Sequence, residues 1–263
     1  MIDFAGRERP RMPSEKREEP RPAAHGPGAE TFFQGTQDRM ALLPNYYRWI
    51  AKGFRDRISG TVLELGCGGG LVLRHYADRV DRVIAVDLES GLLDRIAREW
   101  PPQKVETRRV NLLGDWNEIA DVRADAIVAL DVLEHFEDDL AFVLKLKRLL
   151  RPAGRVVLKV PAQPRLYGDI DRTSGHFRRY DDPGLCALME RAGFHALALR
   201  PMNPVGAWGY RLKKGERSSY SQTFSPAKLR IVNALIPALA WIDRVPGLKG
   251  LSLVGVFELR DGG

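Results

Sequence analysis

The chain has 263 residues, 41 Lys and Arg against 34 Asp and Glu, a net charge of +7 and two cysteines. That length accommodates one large domain with a substantial core. Cys67 and Cys186 are too few for a disulfide framework and too far apart for a metal knuckle, which fits a reducing, cytoplasmic compartment. No run of 18 apolar residues occurs and the N-terminus lacks a signal-peptide core, so no membrane span is expected.

Residues 1–30 mix Pro, Arg, Glu and Gly with few large apolar side chains and are expected to be a disordered tail ahead of a domain over 31–263. Asn45 to Lys52 reads as an amphipathic helix. Strand and helix then alternate: strand Thr61 to Leu65, helix Leu71 to Ala77, strand Arg82 to Val86 ending at Asp87, and helix Ser90 to Trp100 stopped by Pro101-Pro102. Strands are expected at Val105 to Val110, Asp125 to Leu130 and Arg155 to Val160, with a helix over Leu140 to Leu150 and a turn at Pro152-Ala-Gly154. This alternation indicates a doubly wound α/β sheet that binds ligands at the carboxyl ends of its strands. After Pro161 a polar, aromatic loop runs to Tyr180, followed by a helix over Asp182 to Ala192 and a strand over Phe194 to Leu199. Leu251 to Leu259 reads as the last strand, returning antiparallel to the sixth. Between them, 203–249 reads as a helical insertion. Ser225-Pro226 starts a helix there that is apolar on more than one face and too short to span a bilayer. A lid, a dimer face and a surface helix resting on lipid are all open for it.

The chemistry centres on Val62 to Gly70, an apolar run ending in Glu64 with glycines at 66, 68 and 70. Only glycine lets a backbone take positive φ and come this close to a ligand. A dinucleotide fingerprint needs Gly or Ala where Leu71 stands, and a P-loop needs a lysine that is absent. The remaining acidic-x-Gly-x-Gly-x-Gly pattern resembles motif I of the class I S-adenosylmethionine (SAM) methyltransferases. The likeness extends to Leu133-Glu-His-Phe-Glu-Asp138, Leu150-Arg-Pro-Ala-Gly154 and the run Tyr167 to Tyr180. These resemble a bacterial Gly-His-x-Arg-Arg-Tyr group associated with glycan or specialised-metabolite pathways. The resemblance covers about residues 40–259. It implies a Rossmann-like seven-stranded sheet, mostly parallel with an antiparallel last strand, and SAM as cofactor with S-adenosylhomocysteine as product.

On that resemblance, Tyr46, Glu64, Gly66, Cys67, Gly68, Gly70, Asp87, Leu88, Asn111, Leu112, Asp131 and Val132 line the cofactor. Asp87 lies 23 residues after Glu64, at a strand end where a carboxylate accepts bonds from ribose hydroxyls. Asn111 stands where the group usually has an aspartate facing adenine, and its carbonyl can still accept that bond. Glu64 is expected to bond toward the methionine amino group. Tyr46 and Trp49 share a helix face, either as core or with Tyr46 over the cofactor's carboxylate. Cys67 reads as a packed side chain rather than a nucleophile.

Transfer to a hydroxyl needs a base, for which His176 is the candidate, with His135 as an alternative and Arg179 beside them. Tyr167, Asp171, Arg178, Tyr180, Asn203 and Trp208 are expected to meet the acceptor. Equally, His176 and Asp171 can tie the loop down, with Arg179 bridging to Asp181 or Asp182. No resident metal is expected, although Asp131, Glu134, His135 and His176 together have the composition of a divalent-metal site. The acceptor is expected to be a small molecule or a lipid-linked sugar methylated at oxygen, by a monomer or homodimer with possible peripheral membrane contact through 203–249. Residues 200–230 hold seven basic side chains against Glu216 alone, so an RNA or protein methyltransferase docking through them is the alternative. A SAM-binding protein without catalysis is the other.

Overall fold

The computed structural model describes residues 29–212 and 225–260. The expected tail lies outside these residues apart from Ala29 and Glu30, which begin α1 (Ala29–Met40). Next come α2 (Pro44–Ala51), β1 (Thr61–Leu65), β2 (Arg82–Asp87), α3 (Ser90–Glu99), β3 (Val105–Arg109), β4 (Ala124–Leu130) and α4 (Asp139–Leu149). The chain continues through β5 (Leu150–Pro161), α5 (Asp169–Thr173), α6 (Asp182–Arg191), β6 (Phe194–Met202), α7 (Pro204–Leu212), α8 (Pro226–Ile242) and β7 (Ser252–Leu259).

The seven strands form one sheet in the order β3-β2-β1-β4-β5-β7-β6. The first five are parallel, and β7 inserts antiparallel between β5 and β6, so it pairs with the fifth strand as well as the sixth. Strand periodicity divides the core into two layers. Leu63, Leu65, Ile127, Val156 and Leu158 face one layer, with α4 and α6. Val62, Val128, Val157, Val254 and Val256 face the other, with α2 and α8.

Two local differences from the sequence reading have physical causes. No helix forms over Leu71 to Ala77; two short 3-10 turns, Leu73–His75 and Ala77–Arg79, flank Tyr76, whose φ of −139° breaks helical continuation. That break turns the Tyr76 ring inward, where its hydroxyl donates to Glu64 at 2.5 Å. β5 starts earlier than expected because Leu150 already pairs with Ala124, after which the Pro152-Ala-Gly154 turn bulges out until Arg155 resumes the register opposite Ala126.

α8 is held against α2 by a polar clamp. Pro237 has no N–H, so the carbonyl of Asn233 four residues earlier lacks its helical donor. The Asn45 side chain supplies one at 3.0 Å, and the Asn45 N–H donates to the Asn233 side chain at 2.8 Å. Beyond the helix end, Asp243 accepts from the Trp49 indole at 2.8 Å and from the Asn203 N–H at 3.0 Å. The helical insertion is therefore bound to the helix that precedes β1.

Candidate active site

Two groups of side chains gather at the carboxyl ends of the parallel strands. The first surrounds the glycine turn. Gly66 and Gly68 have φ of +67° and +53°, and an added Cβ would fall 2.9 Å from a Val132 methyl or 2.8 Å from the Gln37 amide. At Gly66 the left-handed conformation and the Val132 methyl together exclude a side chain, and at Gly68 the conformation alone does so. The Cys67 N–H donates to the Val86 carbonyl at 2.9 Å and the Gly68 N–H to Asp87 at 2.7 Å, which fixes the turn to the end of β2. The other Asp87 oxygen accepts the Glu89 N–H at 3.0 Å. Each oxygen retains a second lone pair for a ligand hydroxyl. Leu88 is half-buried, and its carbonyl accepts from Arg109.

Glu64 lies beneath the turn at 3 % exposure, with one carboxyl oxygen accepting from Tyr76. Burial pushes that carboxyl up to about 7, against the Tyr76 hydrogen bond that lowers it and with Asp87 adding to the rise. Burial, with Asp87 and Glu64 nearby, also raises the Cys67 thiol well above its ordinary range, consistent with a packed side chain. Asn111 is exposed and uses its side-chain oxygen on the Leu113 N–H at 3.0 Å, while Leu112 packs against the core and accepts the Trp116 indole.

At the end of β4, Asp131 adopts φ +56°. Its half-exposed carboxylate accepts two bonds from Lys159, at 2.6 and 2.5 Å, and Lys159 itself is almost fully buried. Burial alone would lower the ammonium, but Asp131, followed by Tyr46, outweighs it and raises Lys159 above the ordinary lysine range. Tyr46 sits beside this ion pair, and its ring meets Trp49 edge-on at 6.3 Å. Sequence reasoning missed Lys159, although one charged residue between Leu158 and Val160 in a buried strand was a legible signal. It also missed Gln37, which no spacing rule marks.

The second group is the segment after β5. Asp171 is fully buried and collects the Arg179 guanidinium at 2.8 and 2.9 Å, the Tyr210 hydroxyl at 3.0 Å, the Gly168 N–H at 3.0 Å and the His176 Nδ1 at 3.1 Å. Burial would raise its carboxyl, but the His176 and Arg179 bonds outweigh that and bring it to about 2. Arg179 thus bridges to Asp171 and not to Asp181 or Asp182, since Asp181 caps α6 through the Gly184 N–H. Arg178 is committed to Asp139 and the Glu137 carbonyl, Tyr180 donates to Asp139 at 3.1 Å, and Tyr167 donates to the His176 carbonyl at 2.8 Å. Asn203 spends its N–H, side-chain oxygen and carbonyl on Asp243, Gly206 and Leu251. These four positions make the intramolecular bonds given above, and Trp208 projects to solvent at 52 % exposure.

His176 Nε2 lies 4.0 Å from Glu134, whose buried carboxyl oxygens have no hydrogen-bond partner. Burial, then the Asp131 charge, raises Glu134 well above the carboxylate range. The His135 ring meets His176 edge-on at 4.8 Å, and burial followed by the His176 charge lowers His135 to about 4. Glu134, His135 and His176 each bring a ligand-capable atom within 4.8 Å of the others. Asp131, the fourth member of the metal set considered from sequence, is engaged by Lys159.

The methyltransferase-domain family profile matches residues 37–199. The chain belongs to that family. The methyltransferase domain here has class I architecture, with structural likeness to a putative methyltransferase of Haloferax volcanii (TM-score 0.57, 13 % identity, 89 % of this chain and 95 % of that one). A putative methyltransferase of Bacillus halodurans gives a TM-score of 0.53 at 18 % identity, over 80 % of this chain and 97 % of the other. Among curated relatives, a probable SAM-dependent methyltransferase of Mycolicibacterium smegmatis is 31 % identical over 51 % of this chain and 51 % of its own length. A ubiquinone biosynthesis O-methyltransferase of Xanthomonas oryzae pv. oryzae is 27 % identical over 50 % of this chain. The chain spans 51 % of the first relative and 63 % of the second.

Two stability measurements check these environments. Because the Glu64 carboxyl is raised from 4.5 to about 7, the fold loses stability as pH rises through that window and has lost most of it above 7. Glu64→Gln is therefore expected to be more stable than the wild type at pH 8 by up to about 3 kcal/mol, with the gain vanishing near pH 4.5, as read from urea unfolding. Asp171→Ala leaves the buried Arg179 charge unpaired and should lower unfolding free energy by about 3–5 kcal/mol in the same assay at pH 7.

Proposed function

We propose that the protein is a SAM-dependent methyltransferase acting at a hydroxyl of a small-molecule or lipid-linked acceptor, with His176 as general base. The residues present fit the cofactor. Bare backbone at Gly66 and Gly68 beside the Asp87 carboxylate suits a nucleoside, and the Asp131, Lys159 and Tyr46 cluster supplies opposite charges for an amino-acid zwitterion. When bound, SAM supplies an activated methyl group for in-line displacement.

The observation that carries the choice of oxygen is the hydrogen bond between His176 Nδ1 and Asp171. A carboxylate on Nδ1 fixes the tautomer that leaves Nε2 as proton acceptor, and stabilises the imidazolium formed when Nε2 takes the hydroxyl proton. Asp171 is held ionised for that task by Arg179 and His176. His135, lowered to about 4, stays neutral at pH 7 and adds no positive charge beside the forming imidazolium. Arg179 is a positioning residue, since its guanidinium is spent on Asp171 and the Ala162 carbonyl.

Of the described basic residues in 200–230, Arg200 is half-buried and donates to the Trp49 carbonyl and Arg211 bonds Gln163, whereas Lys228 and Arg230 are exposed.

The test incubates the chain with SAM and a panel of phenolic, sugar and carboxylate acceptors, following S-adenosylhomocysteine and the methylated product. Wild type should methylate an oxygen acceptor. His176→Ala should retain SAM affinity within about twofold while kcat falls roughly 100-fold or more. Unchanged turnover would show that His176 only pins the loop, and formation of neither S-adenosylhomocysteine nor a methylated product with any acceptor of the panel would contradict the reading.

A further inference from the structure

α8 is fixed to the body by its inner face, where Leu229 and Ile236 are buried and Asn233 is clamped by Asn45. Among the described residues its outer face has no such partner. Ile231, Leu235, Trp241 and Val245, the last just past the helix end, are 62, 54, 68 and 50 % exposed. These are half of the eight large apolar side chains exposed among the described residues, and they fall within 15 positions of one another. Isolated exposed apolar residues are ordinary, but this concentration on one element is not.

The exposed charges along 225–250 are all of one sign. Lys228, Arg230, Arg244 and Lys249 are exposed along the same segment, and the Arg244 guanidinium lies 5.1 Å over the Trp241 ring. The single acidic residue between 225 and 250 is Asp243. Its carboxylate is turned inward to Trp49 and Asn203 and does not offset the cations outside. Aromatic and aliphatic side chains framed by lysine and arginine match the acyl boundary and anionic headgroups of a bilayer. A second copy of the chain is a poorer match. A two-fold pairing of this face would set its cations against their own copies, in a protein that already carries +7.

No helix among the described residues is long and apolar enough to cross a membrane. We propose that the outer face of α8, through Ile231, Leu235, Trp241 and Val245 framed by Lys228, Arg230, Arg244 and Lys249, docks the protein onto the surface of an anionic lipid bilayer. The inner face of α8 packs on α2, which carries Tyr46 beside Lys159. Directly after the docking segment, Gly247 to Gly250 forms one wall of a cavity of about 900 Å³ that Arg165, Leu166 and Tyr180 also line. A bilayer-bound α8 therefore sets that cavity close to the lipid surface. The docking itself does not depend on methyl transfer.

The test sediments the full chain with vesicles of phosphatidylcholine alone and of phosphatidylcholine with phosphatidylglycerol. Binding is expected to the anionic vesicles and to weaken with added salt. Ile231→Ser with Leu235→Ser, and separately Arg230→Glu with Arg244→Glu, should each reduce partitioning at least tenfold while SAM affinity and the circular-dichroism spectrum stay those of the wild type. Failure of the folded wild type to pellet with anionic vesicles, or equal binding by both double variants, would overturn the proposal. So would sedimentation velocity showing a dimer that Trp241→Ser dissociates, which assigns the face to a second copy.

Discussion

The site rests on the hold that Asp87 has over the glycine turn. One carboxylate oxygen accepts the Gly68 N–H and the other accepts the Glu89 N–H, so a single side chain at the end of β2 fixes both its own turn and the one leaving β1. Positive φ at Gly66 and Gly68 favours glycine at both positions, and at Gly66 the close Val132 methyl also leaves no room for a side chain. Beneath the turn, Glu64 and Tyr76 form a buried pair that removes a helix turn from the chain and places a carboxyl with a raised pKa under the loop. The backbone is therefore positioned before any ligand arrives, which spares binding the entropy of ordering it.

The two halves of the site obtain their rigidity from different sources. Around Asp131 and Lys159 it comes from the sheet, because the bond from the Asp131 N–H to the Lys159 carbonyl extends the β4 and β5 ladder to the residues whose side chains pair. After β5 the chain leaves the sheet, and the buried Asp171 carboxylate takes over as organiser. It gathers donors from the loop, from Arg179 and from Tyr210 on α7. A buried anion with this many donors makes a loop as firmly set as a strand, at the cost of strong destabilisation if the anion is lost.

Much of this was legible in the sequence because it is periodic or conformationally forced. β1, β2, β4 and β5 follow apolar runs, and the glycine turn follows residues that only glycine can satisfy. Contacts between distant elements were not legible. Nothing in the spacing of Leu71 to Ala77 shows that Tyr76 must turn inward to Glu64. Nothing near Arg178 or Tyr180 announces that both converge on Asp139. Polar residues in a loop look alike from sequence whether they face a ligand or one another, so the bonds that hold this loop in place were not foreseen. Lys159 is the converse case. Its isolation in an apolar strand marks it as a buried charge requiring a partner, and that partner, Asp131, was already among the candidates.

The most direct measurement is calorimetric titration of SAM into the wild type and into Asp87→Ala, with circular dichroism confirming that both are folded. A cofactor site built on the grip of Asp87 predicts saturable binding by the wild type and at least a hundredfold loss in the variant. Equal SAM affinity in the two proteins would contradict it.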